Sequence, residues 1–248
     1  MRNILTAIAV AALAAEVWAV QGTIVTESSS MTGNITYQRR QKTYSIEVKK
    51  GKNTVQSEFP AAEVTKLDIP KPAGFDKAVE QVENGQGAQA IPALTKIVND
   101  YYMLNWDKAA GKYLVRAYCA AGQAQKGMEI CQGIINEDKS AAYTGDLAPA
   151  YWLCLLKLNK TDMLERCLAK AASAGSRQAS AAALIMRGDI IVDAGGDVKQ
   201  ALRDGYLRVA LMYGDCPDEK REALLKAANC FDKLGQASRA ERLRAQTK

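Results

Sequence analysis

From about Phe75 to the end of the chain, apolar side chains recur at three- and four-residue intervals among Ala, Lys, Glu and Gln, the period of helices buried along one face. Before that point the texture differs. Residues 22–69 are rich in Thr, Val, Ile and Tyr and carry no helical period. Their short β-branched and aromatic runs predict strands at residues 23–26, 33–37, 43–48, 54–59 and 63–69. Gly22, Gly33 and the turn Lys50-Gly51-Lys52-Asn53 separate these runs, and Pro60 and Pro70 close the last two.

The helical part repeats. Helix-breaking residues stand at Gly85, Gly122, Asn159, Gly196 and Gly235, separated by 37, 37, 37 and 39 residues. Five positions after each comes Ala90, Gly127, Leu164, Ala201 and Ala240, small in every case but Leu164. Apolar segments at 79–82, 114–118, 152–156, 184–192 and 224–231 precede the turns, and others at 91–98, 128–135, 163–171, 198–211 and 240–243 follow them. The predicted unit is helix, tight turn, helix, used five times. One such pair buries only part of its apolar surface, and stacking further copies covers the rest. Five strands packed into residues 22–69, in turn, have the density of a small antiparallel barrel and resemble the SH3-like kind.

The repeated unit resembles the tetratricopeptide repeat (TPR) family. The likeness is carried by Tyr118-Cys119-Ala120-Ala121-Gly122 followed by Gly127 and Cys131, and by residues 227–235 (AANCFDKLG) followed by Ala240. Ala194-Gly195-Gly196-Asp197 with Ala201 is a further matching turn, and the resemblance spans roughly residues 74 to 246. The departures are the 37-residue spacing where about 34 is usual, the bulky Leu164 and Asn159 in place of Gly. The resemblance implies a mainly α fold, an α-solenoid of about five helix pairs, whose first helices line a concave side. It places Lys112, Arg116, Leu153, Lys157, Arg187, Ile190, Asn229 and Lys233, with Asp193, on or near that side. Such a groove takes a peptide or extended segment of a protein partner, with Lys112 and Arg116 offering charge-assisted contacts to an acidic group.

Composition narrows the chemistry. None of the 248 residues is histidine. Ser/His/Asp relays, His-bearing zinc sites and imidazole proton shuttles are therefore excluded for this chain acting alone. The 33 Lys and Arg against 27 Asp and Glu leave only +6, spread along the chain, so no nucleic-acid partner is expected. At the start, Met1-Arg2-Asn3 supplies positive charge, residues 4–15 are apolar or small, Glu16 ends the run, and Val17-Trp18-Ala19 resembles a signal-peptidase site. The run falls short of the roughly 20 residues that span a bilayer, and no later run is longer. A cleaved signal over residues 1–19 is expected, followed by a β domain at 20–70 and the repeat domain at 71–248. The mature protein is then periplasmic or secreted, with no membrane span, and disulfides are permitted.

Six cysteines remain to be placed. In an antiparallel helix hairpin, residues equidistant from the turn face each other. Cys154 and Cys167 flank the Asn159 turn in this way and form the candidate disulfide, while Cys119 and Cys131 are centred past their turn. Cys216 and Cys230, fourteen residues apart on one helix, lie about 20 Å apart and cannot bridge. The alternative is that all six are small core residues. The smallest gap between cysteines is 12 residues, so a thiolate metal site is not expected. Gly85-Gln86-Gly87 lacks the strand and third glycine of a dinucleotide loop. Asp189 and Asp193, at helical spacing, read as a solvated face. No catalytic residue, metal or cofactor is expected. The sequence reads as a non-enzymatic binder of a protein or peptide, or alternatively as a structural or assembly scaffold of the cell envelope.

Overall fold

The computed structural model describes residues 19–51 and 53–247, so the expected signal segment lies, apart from Ala19, outside the described residues. The chain forms two compact units, one running to Pro70 and including Asp100–Leu104, the other Lys71–Asn99 and Asn105 onward.

In the first unit, β1 (Val20–Thr26), β2 (Ser30–Gln38), β3 (Thr43–Lys50), β4 (Asn53–Pro60) and β5 (Val64–Asp68) form one antiparallel sheet in the order β4-β3-β2-β1-β5. Side chains two apart share a face of a strand. Ile35 and Tyr37 of β2 therefore oppose Ile46 and Tyr44 of β3, and all four are buried. The Tyr44 hydroxyl donates to the Met103 carbonyl at 2.9 Å and Arg39 lies 3.7 Å over the Tyr102 ring, which ties Asp100–Leu104 to this sheet. The expected strands are present, but the sheet is not closed into a barrel: β4 and β5 are its edges and share no ladder. The reason lies in β4, which is exposed or half-exposed at every position and so has no buried face over which the sheet could roll.

The second unit is five helix pairs. They are α1 (Phe75–Glu83) with α2 (Gly87–Asp100), α3 (Trp106–Ala120) with α4 (Ala124–Glu137), and α5 (Leu147–Lys157) with α6 (Thr161–Ser173). Then come α7 (Arg177–Asp193) with α8 (Val198–Ala201) and α9 (Leu207–Met212), and α10 (Pro217–Lys233) with α11 (Ala237–Ala245). Each turn is built alike. Gly85, Gly122, Asn159, Gly195 and Gly235 adopt φ of 77°, 71°, 54°, 68° and 70°, and the next amide bonds back to the carbonyl five residues earlier at 2.7–2.9 Å. This is the Schellman ending, which favours Gly and tolerates Asn because the left-handed backbone crowds an ordinary Cβ. The fourth turn pivots on Gly195 where Gly196 was expected. Gly196 follows it, and Asp197 caps the next helix by accepting from the Lys199 amide at 2.9 Å.

First helices stack in a row, α1 on α3, α3 on α5, α5 on α7 and α7 on α10, and each of α4, α6 and α9 packs against the next first helix. The small residues that follow the turns are packed: Ala90, Ala201 and Ala240 are fully buried, and a Cβ on Gly127 would come 2.9 Å from the Cys154 sulfur of the next first helix. Leu164 is buried as well, in the cluster that Trp152, Leu155 and Leu168 build across the second, third and fourth pairs. A second cluster, around Ile185, Tyr206, Val209 and Ala227, joins the fourth and fifth pairs.

The second helix of the fourth pair is interrupted by a π-turn at Leu202–Tyr206. There Gly205 approaches α7 so closely that an added Cβ would stand 3.0 Å from the Gly188 Cα and the Leu184 carbonyl. The Tyr206 hydroxyl donates to Asp189 at 2.7 Å, and Lys226 donates to the other Asp189 oxygen while pairing with Glu222 at 3.2 Å. Asp189 is thus an interhelical bridge with a side chain 21% exposed, which corrects the expectation of a solvated face. Burial alone would lower the Lys226 amine, but Asp189 and Glu222 hold it above its usual value. Burial, reinforced by the Asp189 carboxylate, pushes the Tyr206 hydroxyl well above the ordinary phenol range.

Candidate functional site

Four successive first helices contribute to one cavity of about 50 Å³. Lys112 comes from α3, Trp152 from α5, Gln178 and Ala182 from α7, and Asp218 and Glu219 from α10, with the loop at residues 143–146 completing the wall. Local chemistry fixes each part. Trp152 is fully buried, and its indole N–H donates to the Ala142 carbonyl at 2.8 Å, anchoring the single turn that precedes the loop. That turn starts at Asp138, whose carboxylate accepts from the Ser140 amide at 3.0 Å and from Lys108. Burial works against the charged form of Asp138, but the Lys108 and Ser140 bonds outweigh it and hold the carboxyl below its usual value. Ser176 caps α7 by accepting from the Ala179 amide at 3.2 Å. Pro217 opens α10, so Asp218 and Glu219 fall in its first turn, where the helix dipole favours negative charge.

The charge in the cavity wall is unbalanced. The lining holds one cation, Lys112, and three carboxylates, Asp146, Asp218 and Glu219, none of which makes an ion pair among the described residues. Lys112 and Arg116 both lie over the Tyr113 ring, at 5.4 and 5.6 Å from its centroid. A partner's cationic group entering here meets three carboxylates, whereas an acidic group meets one cation.

Of the nine positions that the TPR resemblance placed on or near the inner side, Lys112 alone lines this cavity. Arg116 is exposed one turn further along α3, and Arg187 and Lys233 are exposed on α7 and α10. Leu153 and Ile190 are half-buried against the central cluster, so their surface serves packing. Lys157 pairs with Asp193 at 2.7 Å, tying α5 to α7, and Asn229 accepts from Arg244 at 3.0 Å. Trp152, Gln178, Asp218 and Glu219 were not among the expected residues. The run Pro217-Asp218-Glu219 carries a helix-start signal, but nothing local in it points to a cavity shared with Lys112. Among the described residues, no group of three or more Cys, Asp or Glu is placed to hold a metal ion, and no helix is long and apolar enough to cross a membrane.

No family model and no curated protein sequence matches the chain. Solved structures similar to it include one described by its TPR-like repeats. A Podosopora anserina kinesin light chain protein with nearly identical TPR-like repeats is 16% identical, with a TM-score of 0.42, over 71% of this chain and 92% of its own. MamA MSR-1 C2 is likewise 16% identical, with a TM-score of 0.36, over 70% of this chain and 95% of its own. The helix pairs described above establish the repeat architecture by their own geometry.

All six cysteines are free thiols. No bond joins Cys154 to Cys167; the sulfur beside Cys154 is that of Cys119, 3.4 Å away, and the contact runs from α3 to α5 between neighbouring pairs. Hairpin symmetry did not anticipate it because the two residues belong to different units. The hydrogen bond with Cys154, followed by burial, raises the Cys119 thiol far above its ordinary value, so little thiolate is present to react. Oxidised glutathione is therefore expected to join Cys119 to Cys154 slowly: half-exposed Cys119 forms the mixed disulfide, and Cys154 displaces glutathione from it. Mass spectrometry of the unreduced protein should show the loss of two hydrogens and a peptide linking residues 119 and 154, absent in Cys119→Ser. A link from 154 to 167 would contradict this.

Proposed function

We propose that the protein is a non-catalytic, exported binding protein whose helix pairs hold a polypeptide segment of a partner along the row of first helices. The observation that carries this reading is the convergence of side chains from α3, α5, α7 and α10 on one cleft, with three carboxylates outside any ion pair among the described residues. Stacked first helices form an extended surface suited to a long, thin ligand. A volume of about 50 Å³ is far below the roughly 300–1,000 Å³ of small-molecule sites. It accepts the tip of one side chain, and the charge around it favours Lys or Arg of the partner. This revises the expected chemistry at Lys112, where an acidic group had been anticipated. Export rests on the residue pattern of positions 1–19.

The test is a pull-down from cell-envelope extract with the wild-type chain and two charge-reversed forms, Asp218→Lys/Glu219→Lys and Lys112→Glu/Arg116→Glu. The first is expected to lose the partner while circular dichroism stays that of the folded protein, although removing favourable charge from the start of α10 costs about 0.3–1 kcal/mol per residue. The second should retain or strengthen capture. Recovery of the same proteins in the same amounts by all three forms would overturn the placement of the site.

A further inference from the structure

Leu211 and Met212, at the end of α9, are the two most exposed large apolar side chains of the described chain, 83% and 58% accessible. They belong to a trough on the side of the second helices, separate from the cavity shared by the first helices. Its floor is apolar: Leu202, Leu207, Leu211 and Met212 from the second helix of the fourth pair, with Phe231 of α10 and Leu234 just after it. Its rim is basic: Lys199, Arg203, Arg208 and Arg239, with no carboxylate among the lining residues. Arg203 pairs with neighbouring Asp204 and Arg239 lies over Phe231, whereas Lys199 and Arg208 make no ion pair among the described residues.

The π-turn is what produces this surface. In an uninterrupted α-helix, residues five apart do not stack. Here the Leu207 amide bonds to the Leu202 carbonyl, five residues back, which brings Leu207 into line with Leu202 and carries Leu211 out beyond it. The same insertion turns Gly205, Tyr206 and Val209 toward α7 and α10, where they are buried. One short helix thereby presents apolar side chains on two faces, one packed in the core and one left open.

We propose that this trough is a second docking surface, one that takes an acidic amphipathic helix of a partner protein. The apolar floor accepts side chains at i, i+3, i+4 and i+7, and the cationic rim meets Asp and Glu on the flanks of that helix. Length agrees with this occupant: Lys199 to Met212 spans thirteen helical rises, about 20 Å, or roughly four turns of a bound helix. The volume of about 550 Å³ lies along an open channel, so a compact small molecule would remain largely in water whereas a helix lying lengthwise buries its apolar stripe. A flat lipid surface needs a protruding apolar face, and most of this floor is recessed between the α8–α9 segment and α10. The proposal is independent of the first-helix cavity, and either can fail without the other.

The probe is a fluorescein-labelled helical peptide of about 14 residues with Leu at i, i+3, i+4 and i+7 and Glu at the flanks. A Lys-flanked version and a scrambled Glu version serve as controls, and binding to the full chain is read by fluorescence anisotropy. The Glu-flanked helix is expected to bind at least about tenfold more tightly than either control, with affinity falling as salt rises. Leu211→Glu should weaken it about ten- to hundredfold, and Lys199→Glu/Arg208→Glu about tenfold or more. Lys112→Glu/Arg116→Glu should leave it unchanged. Leu211, Lys199 and Arg208 are all exposed, so these variants are expected to fold. Equal binding of the Glu and scrambled peptides would overturn the proposal, as would sensitivity to Lys112 rather than Leu211. So would Leu211-dependent binding to phosphatidylglycerol-containing vesicles with none to the peptide, which would mark a membrane face. Leu211-dependent self-association with no peptide binding would mark a contact between copies of the chain and equally overturn it.

Discussion

Trp152→Ala is expected to lower the free energy of unfolding by about 3–5 kcal/mol, read from urea or thermal denaturation. The magnitude follows from position. Trp152 is fully buried among Met128, Leu147, Leu155 and Ala179, in the cluster that joins three helix pairs. Truncation removes the largest side chain of that cluster and leaves a void whose walls belong to helices pinned by their own neighbours, so collapse is incomplete. The lost indole bond matters less, because Ala142 is only half-buried and its carbonyl can accept from water instead. In a stacked array each unit is stabilised mainly by its neighbours. Hydrogen exchange should therefore show protection lost from α3 through α6, while α10 and α11, which pack in the other cluster, retain theirs. A loss below about 1 kcal/mol would mean that the site repacks and that Trp152 does not anchor the loop.

The turns of the array were the most legible feature, and the reason is local. A left-handed residue is needed where each first helix ends, and Gly85, Gly122, Asn159 and Gly235 are the residue types that accept it. The fourth turn was misplaced by one residue because Gly195 and Gly196 satisfy that requirement equally well on paper. The strands were legible from their β-branched runs, yet barrel closure was not. Whether Thr54, Val55 and Gln56 find a partner for either face is a tertiary matter, and in β4 they remain exposed. The cavity was illegible for a similar reason: residues 112 and 219 share a wall only once four helices have stacked. Lys157 reads as a groove cation until Asp193, 36 residues on, is found to neutralise it. The π-turn was hidden because Leu202-Arg203-Asp204-Gly205-Tyr206 looks like plain helix, and the reason for the extra residue lies across the interface, at Gly188.

Gly188→Ala sets two effects against each other, and the structure decides between them. Alanine in the middle of a helix is favoured over glycine by about 1 kcal/mol. Against that, the added Cβ would stand 2.6 Å from Cε1 and 2.8 Å from Cζ of Tyr206. A side chain at the surface could swing away. The Tyr206 ring is 2% exposed, and its hydroxyl is held by Asp189, so moving it disturbs the core and a charge-assisted bond together. Overpacking of this kind costs about 1–3 kcal/mol, and weakening the bond to Asp189 adds about 1.5 kcal/mol or more. A net destabilisation of about 2 kcal/mol is therefore expected despite the better helix former. The argument has a sharper form in a double-mutant cycle. In a Tyr206→Ala background the obstructing ring is gone, and the same Gly188→Ala change should become neutral or stabilising by up to about 1 kcal/mol. A loss of equal size in both backgrounds would show that the glycine is required by the Gly205 backbone, 3.0 Å from the Gly188 Cα at its own would-be Cβ, rather than by the tyrosine.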